Sequence, residues 1–235
     1  ENENAGRELS RAIDMRGDVP HLWVLRGITY LRMDSLQAAE TNFLTAVEKF
    51  PKDPEINYYL GSIYGRQGSH SKAVQYYAAS LENDPSNTQT ALSLAGAYDE
   101  IGQYDQAEKL YGKLVELNPD SPIILNNYAY HLSVQGKELQ CALEFSKRAV
   151  EAEPENSAYL DTMGWIYYQM GDYEQAETFI KRAFKLSPDI AEIAEHLGDV
   201  YLKLDQPEKA KKLWQRALEL DSRRFNIQQK LEKLE

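Results

Sequence analysis

The chain has 235 residues, of which 43% are hydrophobic, 11% aromatic and 27% charged, enough apolar material for a sizeable core and too much for a disordered chain. Its 37 acidic residues outnumber 26 basic ones, a formal charge of -11, which argues against nucleic-acid backbones as partners because a basic stripe should then dominate. No apolar run approaches the length of a membrane span, and the single Cys141 leaves no internal disulfide and no cysteine-rich zinc site.

The first predicted element covers residues 1–19, where Ala5, Leu9 and Ala12 share one helical face. From Pro20 onward one pattern recurs. Pro51, Pro85, Pro119, Pro154 and Pro188 lie 34, 34, 35 and 34 residues apart. Ala39, Ala73, Ala107, Ala142, Ala176 and Ala210 keep the same period in the same phase. This predicts six repeats, at 20–53, 54–87, 88–121, 122–156, 157–190 and 191–224. Gly136 precedes Ala142 by six residues, whereas Gly102 and Gly171 precede Ala107 and Ala176 by five. The additional residue of the fourth repeat is therefore expected in a turn, where it costs little.

Each period predicts two amphipathic helices, as in Leu60, Gly61 and Tyr64 followed by Ala73, Tyr77 and Ser80. Gly27, Gly61, Ala95, Ala129, Gly164 and Gly198 recur at one slot, where two helix backbones are expected to approach closely. Gly68, Gly102, Gly136 and Gly171 end first helices as left-handed caps do. The proline after each second helix stops it and redirects the chain. Residues 225–235 place Ile227, Leu231 and Leu234 on one face, as a solvating terminal helix should. The bare face of Ala5, Leu9 and Ala12 reads as the second helix of a truncated repeat. It predicts that the native chain continues upstream, and it is a candidate surface for homodimers.

These residues resemble the tetratricopeptide repeat. The first repeat is similar to that motif through Trp23, Gly27, Tyr30, Ala39, Phe43, Ala46 and Pro51. It departs from it in Arg26, where a leucine is expected. Ser146 replaces an aromatic and Ser222 the last proline. The resemblance implies an all-α, right-handed α-solenoid of helix-turn-helix repeats. A narrower likeness lies in the "NNYAYHL", "LDTMGW" and "HLGD" segments, which are similar to a bacterial group with envelope scaffolds among its members, some lipid-anchored. That likeness implies a bacterial periplasmic or envelope setting, with the cytoplasm as the alternative.

Nothing in the sequence clusters as a catalytic or metal centre, so no enzyme and no cofactor is predicted. His21, His70, His131 and His196 sit in different repeats, and none pairs with another at i, i+4. His196, among acids in "AEIAEHLGD", reads as a solvated surface histidine. Cys141 reads as a half-buried filler near the start of a second helix, with no basic group placed beside it.

What remains is recognition. The family likeness implies that the second, fifth, ninth and twelfth slots of each first helix line a concave surface. In the last four repeats those slots carry Tyr130, Trp165 and Tyr168 with Asp161, Glu195 and Asp199. Tyr130 and Trp165 are expected to anchor apolar side chains with Tyr168 flanking, Asn126 and Asn127 to bond a peptide backbone, and the three acids to read positive charge. The predicted function is a non-catalytic scaffold binding a protein or peptide with apolar anchors and net positive charge. The alternatives are a self-association module or the regulatory segment of a larger enzyme. With Trp165 taken as a groove residue, Trp165→Ala is expected to leave melting nearly unchanged.

Overall fold

A computed structural model describes residues 2–234, and among them every regular element is an α-helix. Helix α1 (Asn2–Arg16) is followed by the pairs α2 (Pro20–Arg32) with α3 (Leu36–Lys49) and α4 (Pro54–Arg66) with α5 (His70–Asn83). Next come α6 (Thr88–Glu100) with α7 (Tyr104–Leu117) and α8 (Pro122–Val134) with α9 (Leu139–Ala152). The last pairs are α10 (Ser157–Met170) with α11 (Tyr173–Leu186) and α12 (Ala191–Lys203) with α13 (Pro207–Leu220), before the short α14 (Phe225–Glu232). The chain divides into two compact units, one ending at Leu114 and the other starting at Val115.

The boundaries of these helices follow from local chemistry. Pro20, Pro54 and Pro122 occupy the first turn of their helices, where a missing N–H costs nothing. The Asp53 carboxylate accepts from the amides of Glu55 and Ile56, and the Asn156 side chain accepts from those of Ala158 and Tyr159. Both satisfy amides that a helix start leaves without intrahelical partners. Gly68, Gly102, Gly136 and Gly171 all have positive φ, as their position after a first helix requires. The repeats without that glycine use Asp34 (φ 52°) and Asp205 (φ 56°) at the same place, which the spacing of glycines did not disclose. The 35-residue repeat has its longer turn between α8 and α9, ending in Glu138 at φ 44°.

Within each unit the alanine slots are fully buried: Ala39 and Ala73 in the first, Ala142, Ala176 and Ala210 in the second. Large side chains fill the space between them, with Phe43 in the first core and Ile180 and Trp214 in the second. The small-residue slot works differently from expectation. A Cβ on Gly27 would lie 2.2 Å from the Phe43 ring, and one on Gly198 2.5 Å from the Trp214 indole. The first helix is therefore bare at this point so that a ring from the second helix can lie on it, rather than so that two backbones can touch. At Gly164, where Ile180 replaces the ring, the Ala176 carbonyl does come within 3.1 Å. Ser146, standing where an aromatic was expected, is buried with its hydroxyl unpaired. Cys141 is half-buried in α9, and burial beside Glu138 and Glu144 raises its thiol pKa, which suits an inert filler.

Candidate functional site

In the second unit α10 packs against both α8 and α12. The Tyr130 hydroxyl, on α8, nevertheless donates to Glu192 Oε1 on α12 across 2.8 Å. A side chain that passes the intervening helix to reach the next one marks this face as concave. The face carries all eight residues singled out from the sequence, and they do not share one environment.

Trp165 and Tyr168 on α10 are half-buried. Their rings stack at 4.7 Å and 8°, and Tyr168 makes a tilted contact with Tyr173 at 5.5 Å. Residues three apart on a helix meet on one face, so the pair follows directly from its spacing. Burial, then the nearby Asp199 and Tyr173, push the Tyr168 hydroxyl up to about 12, so it stays neutral through the physiological range. Asn127 is half-buried and accepts a long hydrogen bond, 3.4 Å, from Asn126 Nδ2.

His196 is the main correction. It is 7% exposed rather than solvated, with Nδ1 2.8 Å from Asp161 Oδ2 and its ring 4.1 Å from that of Trp165. Burial works to lower its pKa, but the Asp161 carboxylate, helped by Glu192 and Asp199, outweighs that and raises it. Nδ1 thus donates to Asp161 from a cation, held between two first helices.

The groove exposure assigned to Asn126, Asp161 and Glu195 is also corrected, since each is 6% exposed. The fifth slot of a first helix sits where the next first helix packs, and the α10–α12 contact covers it. Asn126 Oδ1 and Asp161 Oδ1 are buried without a hydrogen-bond partner. Glu195 accepts from Arg224, Asn226 and Lys230 of the C-terminal segment, the last at 2.8 Å. Asp199 accepts from Lys230 at 2.7 Å and from the Trp214 indole at 3.0 Å. Burial opposes ionisation of Glu195, yet the Lys230 and Arg224 cations overcome it and lower its pKa. For Asp199 burial prevails over Lys230 and the pKa rises. These two acids are neutralised from within and are not free to read a partner's charge.

Sequence reasoning missed His196, Arg224, Asn226 and Lys230. The signal for the cations was there: α14 and the turn before it carry Arg223, Arg224 and Lys230, beside a repeat whose first helix carries Glu192, Glu195 and Asp199. Among the described residues no group of three or more His, Cys, Asp and Glu is placed to hold a metal ion, and no helix is long and apolar enough to cross a membrane.

Stacked antiparallel helix pairs of constant period, with an unfilled concave face, define the class of helical-repeat proteins. Two tetratricopeptide repeat profiles match the chain, one over residues 6–88 and the other over 66–126 and 167–234. The chain belongs to the tetratricopeptide repeat family, whose members are in general non-catalytic protein-interaction scaffolds. It is similar in fold to a tetratricopeptide repeat protein from Parabacteroides merdae, with a TM-score of 0.81 at 20% identity over 98% of this chain and 91% of that one. It is likewise similar to a chain of the APC/C hetero-tetramer Cut9–Hcn1 (TM-score 0.80, 17% identity, 99% of this chain and 46% of that one). Yeast Tom70 is more distant, at TM-score 0.62 and 15% identity over 99% of this chain and 58% of that one. No curated protein matches. The fold class is all-α, in agreement with these tetratricopeptide repeat structures.

Proposed function

We propose that the second unit binds a protein or peptide segment on the concave face of α8, α10 and α12, with Trp165 and Tyr168 as the seat for an apolar side chain. The observation that carries this reading is the half-buried Trp165–Tyr168 stack on a concave face. Neither residue occupies a slot that the repeat needs for its own helix pair. Aromatic rings of this kind give large contact area at small conformational cost, which is why they dominate binding hot spots. Tyr130 flanks the seat, and Asn127 is placed to bond a peptide backbone. Because Glu195 and Asp199 are already ion-paired with Lys230, the partner is defined by its apolar anchor rather than by net positive charge.

The test is selection of peptides from a random display library on the full chain, followed by binding to wild type and to Tyr168→Ala. Selected peptides should share an aromatic or large aliphatic residue and lose about tenfold or more in affinity for Tyr168→Ala, the loss expected of a hot-spot aromatic. Peptides that bind the variant unchanged would place recognition elsewhere on the chain.

A further inference from the structure

The first repeat breaks its own pattern twice, and the two departures touch. In the five later repeats the slot of Arg26 holds Leu60, Leu94, Tyr128, Met163 and Leu197, and the slot of Asn42 holds Tyr76, Leu110, Phe145, Phe179 and Leu213. Both slots are apolar everywhere except here. Asn42, 4% exposed, accepts from Arg26 Nε at 2.7 Å and donates from Nδ2 to the Trp23 carbonyl at 2.8 Å. Arg26 Nη1 also reaches Ser10 Oγ at 3.3 Å, and the guanidinium lies 4.9 Å from the centre of the Trp23 ring. The second hydrogen of Nη1 and both of Nη2 have no partner among the described residues. A guanidinium fixed by an amide, a hydroxyl and a ring, but by no carboxylate, keeps its full charge for an incoming anion.

The same exchange opens space. In α4 and α5 Tyr76 stacks on Tyr64, in α8 and α9 Phe145 stacks on Tyr128, and in α10 and α11 Phe179 stacks on Tyr167. Each of these rings closes the furrow between its two helices. Asn42 cannot do so, and in its place lies a cavity of about 920 Å³ lined by Trp23, Arg26, Tyr30, Thr41 and Asn42. No ring stacks on Tyr30 among the described residues. Asp34 stands on the rim, but its carboxylate is 95% exposed and turned to Arg66 at 3.9 Å, so it does not neutralise Arg26.

We propose that this cavity binds an aromatic carboxylate, its ring against Tyr30 where the other repeats supply their own, and its carboxylate on the Arg26 guanidinium. The two sources with this chemistry are the C-terminal aromatic residue of a partner chain and a free aromatic acid. The site is distinct from the Trp165 face and does not depend on it.

The experiment titrates the full chain with N-acetylphenylalanine, with its amide, and with a short peptide ending in phenylalanine, free or amidated at its C-terminus. Proton–nitrogen correlation spectra follow the Trp23 indole and Arg26 Nε signals. Saturable shifts are expected with the acids and about tenfold weaker binding with the amides, the loss expected for a charge-assisted hydrogen bond. Tighter binding of the peptide acid than of N-acetylphenylalanine assigns the site to a partner's C-terminus, and equal binding assigns it to a free acid. The double variant Arg26→Leu with Asn42→Phe restores the residue types of the other repeats, and should fold at least as stably while losing the response. Equal binding of acid and amide by wild type, or absence of saturable shifts at these two residues, overturns the proposal whether or not the variant folds. A response retained in a folded double variant overturns it too.

Discussion

The His196 imidazole donates to Asp161 across 2.8 Å, from the first helix of one pair to the first helix of the next, with both side chains 9% exposed. A charge pair buried between helices makes their packing depend on protonation. The folded-state pKa of His196 is raised above 6.5. The native chain therefore holds its proton where the unfolded chain has released it, so the pair's contribution is complete below about pH 6.5 and is lost as pH rises through the folded pKa. His196→Gln should cost about 3 kcal/mol at pH 6, the scale for removing one member of a buried pair. That gap should narrow at higher pH, and thermal melts of both proteins across this range would measure it.

The second prediction concerns Lys230, which joins Glu195 and Asp199 and ties α14 to the repeat before it. Lys230→Met leaves two largely buried carboxylates with one fewer cation. A loss of about 2 kcal/mol is expected, below the fully buried figure because Lys230 itself is partly exposed. Adding Glu195→Gln to Lys230→Met should recover part of the loss. Additive losses in the double-mutant cycle would mean that the two do not interact. The Glu195 pKa is lowered, so its share of stability is present above about pH 4.5 and disappears as pH falls through the folded value.

Overpacking gives a third test. Gly198→Ala would place a methyl group 2.5 Å from the Trp214 indole, and a well-packed core typically loses about 1–3 kcal/mol to such an insertion. Denaturant unfolding should show a lower midpoint with unchanged slope.

Asp205 supplies a change in the opposite direction. It takes φ 56° at the place where four other repeats have glycine at positive φ. Asp205→Gly should gain up to about 1 kcal/mol by relieving the left-handed conformation, offset in part by the freer unfolded chain. A higher melting temperature with unchanged helicity is the expected reading.

Trp165→Ala is no longer expected to be silent in melting. Its ring covers the buried His196 at 4.1 Å, and stacking pairs of this kind contribute about 0.5–1.5 kcal/mol. A melting temperature a few degrees lower, with retained helicity, is the predicted outcome. Tyr168→Ala is the cleaner probe of binding, since Tyr168 touches Trp165 and Tyr173 but not the His196–Asp161 pair.

Much of the fold was legible in the sequence because the repeat constrains local geometry. Proline can only start or stop these helices, glycine alone takes a left-handed cap without strain, and alanine fits where two helices press together. The site was less legible. Asn126, Asp161 and Glu195 are polar residues at slots that face outward on a single helix, and nothing within one repeat signals that the next first helix covers them. His196 looked solvated for the same reason: its neighbours in sequence are acids, while its partners in space are Asp161, 35 residues away, and Trp165.

The sequence by itself determined the helices, their pairing and the family, because these depend on contacts within a period of about 34 residues that every repeat restates. Only the tertiary structure decided which carboxylates are already spent. Glu195 meets Lys230 and Arg224, Asp161 meets His196, and Tyr130 reaches Glu192. Each of these is an encounter between repeats. Repeat surfaces carry no periodic rule, so which charge meets which partner follows from stacking geometry alone.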